Sequence, residues 1–172
     1  MNSKNDSVLR SRRKVVTLST LKRKLPALRK SGKEIAFTNG CFDIIHYGHV
    51  CYLQKAKKNE RVLIIGLNSD ISIRKIKGPS RPINKQNHRA GVLAALSCVD
   101  YIVLFDESTP YHLIKSVKPD VMIKGSDWKG KDVAGSDIVQ GYGGNLELIS
   151  FVPNCSTTKI IEKIRKSDAK KR

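Results

Sequence analysis

Apolar positions fall along this chain in two rhythms. Over residues 17–31, Leu18, Leu21, Leu25 and Leu28 recur at the spacing of an amphipathic helix. Thr17 or Ser19 stands where an N-cap is needed, and Pro26 is expected to weaken or kink the helix. From residue 34 onward, short apolar runs alternate with helical patterns. Residues 34–38 read as a strand that ends in the Asn39-Gly40 turn, and residues 46–58 as a helix with Val50, Leu53 and Ala56 on one side. The continuous apolar run 61–67 (RVLIIGL) is that of a strand buried on both faces, as in a covered parallel sheet. A basic, Gly- and Pro-containing loop over 69–83 precedes a helix over 85–97 carrying Val92, Leu93, Ala95 and Leu96. Then come a strand (101–105), a helix (109–117) capped by Ser108 or Thr109 with Pro110 in its first turn, a strand (120–123) and a loop (124–134). A short helix (136–142) closed by Gly143-Gly144, a strand (146–151) and a last helix (156–166) complete the pattern. This alternation predicts a doubly wound α/β domain, with a parallel sheet of about five strands and helices on both faces. Ligands in such sheets bind at the carboxyl ends of the strands, and every loop singled out below leaves such an end.

Composition fits a globular domain: 172 residues, 40% hydrophobic and 28% charged. The reading is a basic leader (1–16, expected to be disordered), a domain (17–167, with its core at 33–166) and a basic tail (168–172). No run approaches the ~20 apolar residues of a membrane span. The basic start lacks the apolar stretch of a secretory signal, so a cytoplasmic location is expected. Cys41, Cys51, Cys98 and Cys155 contain no CxxC pair, which points away from a disulfide framework or a zinc site. The net charge of +18 is concentrated at the ends, with eleven Lys or Arg against one acid in residues 1–33 and seven against two in residues 159–172. Such ends suit nucleic acid or an anionic membrane. They equally suit an enzyme of polyphosphates, and the lack of interleaved aromatics favours that reading over nucleic acid.

The chemistry concentrates at the first strand-to-helix junction, TNGCFDIIHYGH (residues 38–49). His46 and His49 stand three apart at a helix start, so both imidazoles share a face. The N–H groups and partial positive charge there suit a phosphate. Gly40 permits a tight turn, and Gly48 removes a side chain where a phosphate must approach the backbone. A metal reading is weaker, because no HExxH or Cys/His/Asp cluster is present.

These residues resemble the signature of the nucleotidyltransferase superfamily that carries the HxGH motif. The resemblance spans about residues 33–164 and implies a Rossmann-like fold. Further matching segments are Asn68-Ser69-Asp70, KGPSRPIN (77–84), His88-Arg89, KPDVMIKGSDW (118–128) and CSTTKII (155–161). Within the superfamily the chain is most similar to the heptose 1-phosphate adenylyltransferases. SRPIN, Ala134-Gly135-Ser136, Gly143-Gly144 and the Cys-Ser-Thr-Thr run carry that likeness. The alternative is a CTP-dependent cytidylyltransferase for glycerol 3-phosphate or a similar small phosphate. Those enzymes often show an Asp-Trp loop like Asp127-Trp128, but typically carry an arginine and a glycine where this chain has Val152-Pro153-Asn154-Cys155. Many relatives are fused to a sugar kinase, and a stand-alone version is expected here.

The resemblance implies transfer of AMP from ATP, with Mg²⁺, to a heptose 1-phosphate by a chain that is a homodimer. His46, His49 and Lys77 are the expected catalytic residues. Thr38, Asn39, Gly40, Cys41, Phe42, Gly48, Arg89, Lys124, Gly125, Asp127, Ser156, Thr157 and Thr158 are expected to bind the nucleotide. Asp43, Asn68, Lys75 and Arg81 are expected at the acceptor, and no protein cluster is expected to hold the metal. Trp128 reads as a base-stacking or packing residue, and His88 as a surface residue. Removal of residues 1–30 is expected to leave turnover nearly intact.

Overall fold

The computed structural model describes residues 13–150, 152–153 and 155–169. Helix α1 (Leu18–Lys30) is capped by Thr17, whose side chain accepts from the Thr20 N–H, and it runs unbroken through Pro26. Pro26 and Lys22 both face solvent, so water can take the carbonyl that a proline nitrogen cannot serve. Leu21 and Leu25 are buried. Cutting the chain at residue 30 would therefore strip the core, and the expectation that such a cut is harmless is corrected. The leader is also ordered earlier than expected. Val15 bridges Ile102, and the Ile102 N–H donates to the Lys14 carbonyl. Residues 1–12 of that leader lie outside the described residues.

Five parallel strands form the sheet: β1 (Glu34–Gly40), β2 (Arg61–Asn68), β3 (Tyr101–Phe105), β4 (Val121–Gly125) and β5 (Asn145–Ile149), in the order β3-β2-β1-β4-β5. Helices α2 (Tyr47–Ala56), α3 (Asp70–Lys77), α4 (Gln86–Ala95), α5 (Tyr111–Val117), α6 (Ser136–Gly141) and α7 (Thr157–Ala169) complete the alternation. This is the doubly wound Rossmann-like architecture. Successive residues of β2 serve opposite cores: Leu63 and Ile65 pack with Leu53, Leu93 and Ile123, whereas Ile64 packs with Leu21, Phe37 and Met122.

Several local expectations fail for physical reasons. Residues 70–77, expected as part of a loop, form α3, because the Ser69 side chain caps it and Ile73 is fully buried. Its many charged residues conceal that single anchor. Helix α5 begins at Tyr111 with Pro110 as N-cap and no side-chain cap from Ser108 or Thr109. Val92 faces solvent, and Ala90, Leu93 and Ala94 form the buried face of α4. Phe151, expected to end the last strand, lies outside the described residues, and β5 ends at Ile149.

One feature of the sheet positions the site. β1 pairs with β2 from Glu34 through Gly40, but with β4 only at Ala36↔Val121 and Phe37↔Met122. β4 nevertheless stays paired with β5 up to Gly125↔Ile149. The sheet therefore splits between β1 and β4 toward the carboxyl ends, where the strand order reverses.

Candidate active site

A cleft of about 810 Å³ opens at this split. The β1–α2 turn forms its centre. Phe42 takes a left-handed backbone (φ 44°) while its ring stays buried, a conformation that costs a non-glycine residue energy and persists only under tertiary constraint. Asp43 supplies that constraint. Its buried carboxylate accepts from the Ile83 N–H (2.8 Å), the Asn84 N–H (2.9 Å) and Arg81 Nε (2.6 Å). Burial alone would push the carboxyl up, but these partners outweigh it and hold it below its ordinary value. Asp43 thus fastens the 78–84 segment, which includes a cis Arg81–Pro82 peptide, onto the HxGH turn.

His46 is the N-cap of α2 and His49 lies in its first turn. Their rings stack with centroids 3.9 Å apart. The His46 N–H donates to His49 Nδ1 at 3.4 Å, which leaves Nε2 as the proton-bearing nitrogen of neutral His49. Burial, then the nearby His46 and Lys77, lowers the His49 imidazole to about 4. Burial lowers His46 as well, and its Nδ1 is buried with no partner. Both rings are therefore neutral hydrogen-bonding groups near pH 7. Gly48 has a reason that the sequence did not reveal: a Cβ there would meet Cys155 Cβ at 2.8 Å and the His46 ring at 3.1 Å. The missing side chain lets the lead-in to α7 rest on the start of α2.

The cleft gathers most of the residues expected from the sequence. Asn39, Gly40, Cys41, Phe42, Asp43, His46, Gly48 and His49 line it from β1, α2 and the turn between them; Asn68, Lys77 and Arg81 from β2 and the segment after it; Lys124, Gly125 and Asp127 from β4 and the turn after it; and Ser156 and Thr157 from the start of α7. Lys124 donates to Asn39 Oδ1 at 2.5 Å and lies 5.2 Å from the Trp128 ring centre. Burial lowers Lys124 to about 8 against the opposing pull of Asp127. Burial likewise pushes the Cys41 thiol up, despite nearby Lys77 and Arg89, so it is not an activated nucleophile.

Four expected residues do not line the cleft. Thr38 is buried against the Tyr52 hydroxyl (2.8 Å). Arg89 is buried and donates to the carbonyls of Asn84, Cys41 and Asn68 and to Asp70 Oδ1, so its guanidinium braces the loops from inside. Lys75 reaches the Asp106 carbonyl at 3.5 Å, and Thr158 faces solvent. Conversely, Ser108, Thr109 and Pro110 after β3, read from the sequence only as a helix start, line the cleft, as does Ile76. Their position at a strand's carboxyl end was the available signal. Among the described residues, no group of three or more His, Cys, Asp or Glu side chains could hold a metal, and no helix is long and apolar enough to cross a membrane.

The sequence profile described as Cytidylyltransferase-like matches residues 37–163, which contain the end of β1, β2 through β5 and the whole HxGH turn. The chain belongs to the cytidylyltransferase-like family. It is a nucleotidyltransferase. Among curated proteins, this cytidylyltransferase-like chain is 52% identical over 151 residues to the bifunctional protein HldE of Syntrophotalea carbinolica (88% of the chain, 31% of that protein). It is 58% identical over 138 residues to that of Nitratiruptor sp. (80% and 29%). The chain thus spans about a third of the length of these relatives. A solved lipopolysaccharide core biosynthesis protein from Thermoplasma volcanium superposes with a TM-score of 0.56 at 27% identity, covering 69% of this chain and 96% of that one.

Proposed function

We propose that the chain transfers AMP from ATP to D-glycero-β-D-manno-heptose 1-phosphate, forming ADP-heptose and pyrophosphate. One observation carries the reading of the chemistry. Two stacked, neutral imidazoles at the start of α2 share a cleft with Lys77, Lys124 and the Ser156-Thr157 helix start. In this reading an oxygen of the sugar phosphate attacks the α-phosphorus in line. The bond to the bridging oxygen breaks, and pyrophosphate departs with its charge met by His46, His49 and Lys77. Thr157 and the first N–H groups of α7 hold the triphosphate, and Lys124, Gly125 and Asp127 hold the nucleoside side. Asn68, with Arg81 held by Asp43, faces the acceptor.

Magnesium enters with the nucleotide. The donor set fits a metal carried mainly by phosphates and water, because both Asp43 oxygens are engaged by protein donors. The heptose acceptor is supported by the SRPIN, AGS and CSTT segments and by the HldE matches over most of the chain. Trp128 at the cleft favours a second reading, CTP-dependent transfer to glycerol 3-phosphate. The test is pyrophosphate release from ATP and from CTP, each with β-heptose 1-phosphate and with glycerol 3-phosphate. Release from ATP with the heptose phosphate is expected. Release only from CTP with glycerol phosphate would replace this reading with the second.

A further inference from the structure

Past Phe37↔Met122, where the β1–β4 ladder ends, side chains bridge the next two register positions. At the first, Thr38 opposite Ile123, the Tyr52 hydroxyl stands between the strands. It lies 2.8 Å from Thr38 Oγ1 and donates to the Ile123 carbonyl at 3.0 Å. The phenol has one proton and gives it to Ile123, so Thr38 donates in the other bond. At the second position, Asn39 opposite Lys124, the ammonium joins the two side chains directly. At the third, both residues are glycine (Gly40 and Gly125), and both line the cleft. The split is thus spanned twice by side chains before it opens.

We propose that Tyr52 is a positioning residue for nucleotidyl transfer: its hydroxyl ties α2 to both lips of the split, and so fixes where His49, three residues earlier on the same helix face, meets the cleft. The proposal rests on the reading of His46 and His49 as the groups that meet the transferring phosphate. The ring of Tyr52 packs in the core with Leu53 and Ile123 and would persist in a phenylalanine. The hydroxyl adds two directional bonds joining α2, β1 and β4 at the point where the backbone ladder between those strands has stopped. Hydrogen bonds of this kind hold reacting groups to a fraction of an ångström, and misplacement by about 1 Å can cost 10²-fold in rate.

The test uses Tyr52→Phe, Thr38→Val and Thr38→Ser in the full chain. Three readouts are taken: pyrophosphate release, ATP affinity by calorimetry, and the imidazole ¹H–¹⁵N signals of His46 and His49. For Tyr52→Phe we expect kcat to fall by about 10- to 100-fold, with the KM for ATP within about threefold. The titration midpoint of His49 should rise toward its ordinary value as the ring loosens. Thr38→Val should reproduce part of this loss and Thr38→Ser almost none. Unchanged kcat, KM and imidazole signals in Tyr52→Phe, even with a lower Tm, would reduce Tyr52 to a core residue. If Tyr52→Phe fails to fold, the Thr38→Val and Thr38→Ser pair decides by the same readouts. If the wild-type chain turns over no heptose phosphate, the proposed acceptor is wrong, and the imidazole signals still decide the role of Tyr52.

Discussion

The two walls of the cleft are built on opposite plans. On the β1–α2 side, Asp43 is buried and saturated with donors, Arg89 braces three loop carbonyls from the interior, and Gly48 and Cys155 meet at van der Waals distance. On the β4 side, Lys124 is buried with Asn39 as its hydrogen-bond partner, while Asp127 and Trp128 stand exposed. The first wall is braced from within, because Asp43 and Arg89 are held by protein partners. The second keeps its polar groups available for a ligand. Preorganised donors suit the transferring phosphate, where reorganisation during the reaction would be costly. A less saturated wall suits recognition of the nucleoside.

The contrast is most sharply tested on the braced wall. His46→Ala or His49→Ala should each lower kcat by about 10²- to 10³-fold with an unchanged circular dichroism spectrum. Near-normal turnover in both would remove the histidines from the chemistry. Next, Asp43→Ala takes the acceptor from half-buried Arg81 and from the Ile83 and Asn84 N–H groups, and should cost about 3 kcal/mol in urea unfolding. Asp43 lies below its ordinary value of 3.8 in the folded state. Its contribution is therefore present above about pH 4 and fades as pH falls through the folded value. An Asp43→Ala variant as stable as wild type would show that the strap is held by something else.

On the recognition wall, Lys124→Met should weaken ATP binding about tenfold at pH 7, the size of one charge-assisted bond. Because Lys124 titrates near 8 in the empty cleft, wild-type affinity should fall as pH rises through 8, while that of Lys124→Met stays flat. A parallel pH dependence in both would assign the effect elsewhere. A further effect concerns acid stability. His49 takes up its proton near 4 when folded and near 6.5 when unfolded. The unfolded chain therefore gains the proton first as pH falls. Stability should be full above 6.5 and drop by about 3 kcal/mol by pH 4, a loss that His49→Gln should remove. The smallest effect is expected of Trp128→Ala, with the KM for nucleotide raised about threefold through loss of an exposed stacking face.

The strands and the HxGH turn were legible in the sequence because both depend on local pattern. Continuous apolar runs mark covered parallel strands, and two histidines three apart at a helix start mark a pair of neighbouring imidazoles, although His46 proves to be the N-cap rather than a helical residue. What was hidden depends on convergence of distant segments. At Ser108–Pro110 the only signal was their place at the carboxyl end of β3, and no motif there marks the loop as reaching the same cleft as β1. Arg89 was expected at the nucleotide, yet it is buried because the carbonyls of Asn84, Cys41 and Asn68, from separate segments, converge on it. The α3 helix was missed because one buried isoleucine and one serine cap outweigh a composition that reads as loop.

The contact between Gly48 and Cys155 also has a consequence for synthesis. The histidine helix leaves the ribosome directly after β1, and β2 then follows to give β1 its first sheet partner. The roof over that helix arrives only with residues 155–157, more than a hundred positions later. Because chains emerge N-terminus first, at about 5–20 residues per second, a nascent chain passes several seconds with its imidazoles formed and uncovered. In the proposed reading, nucleotide capture is therefore among the last properties this polypeptide acquires, and premature termination ahead of Cys155 should yield a sheet without a complete cleft.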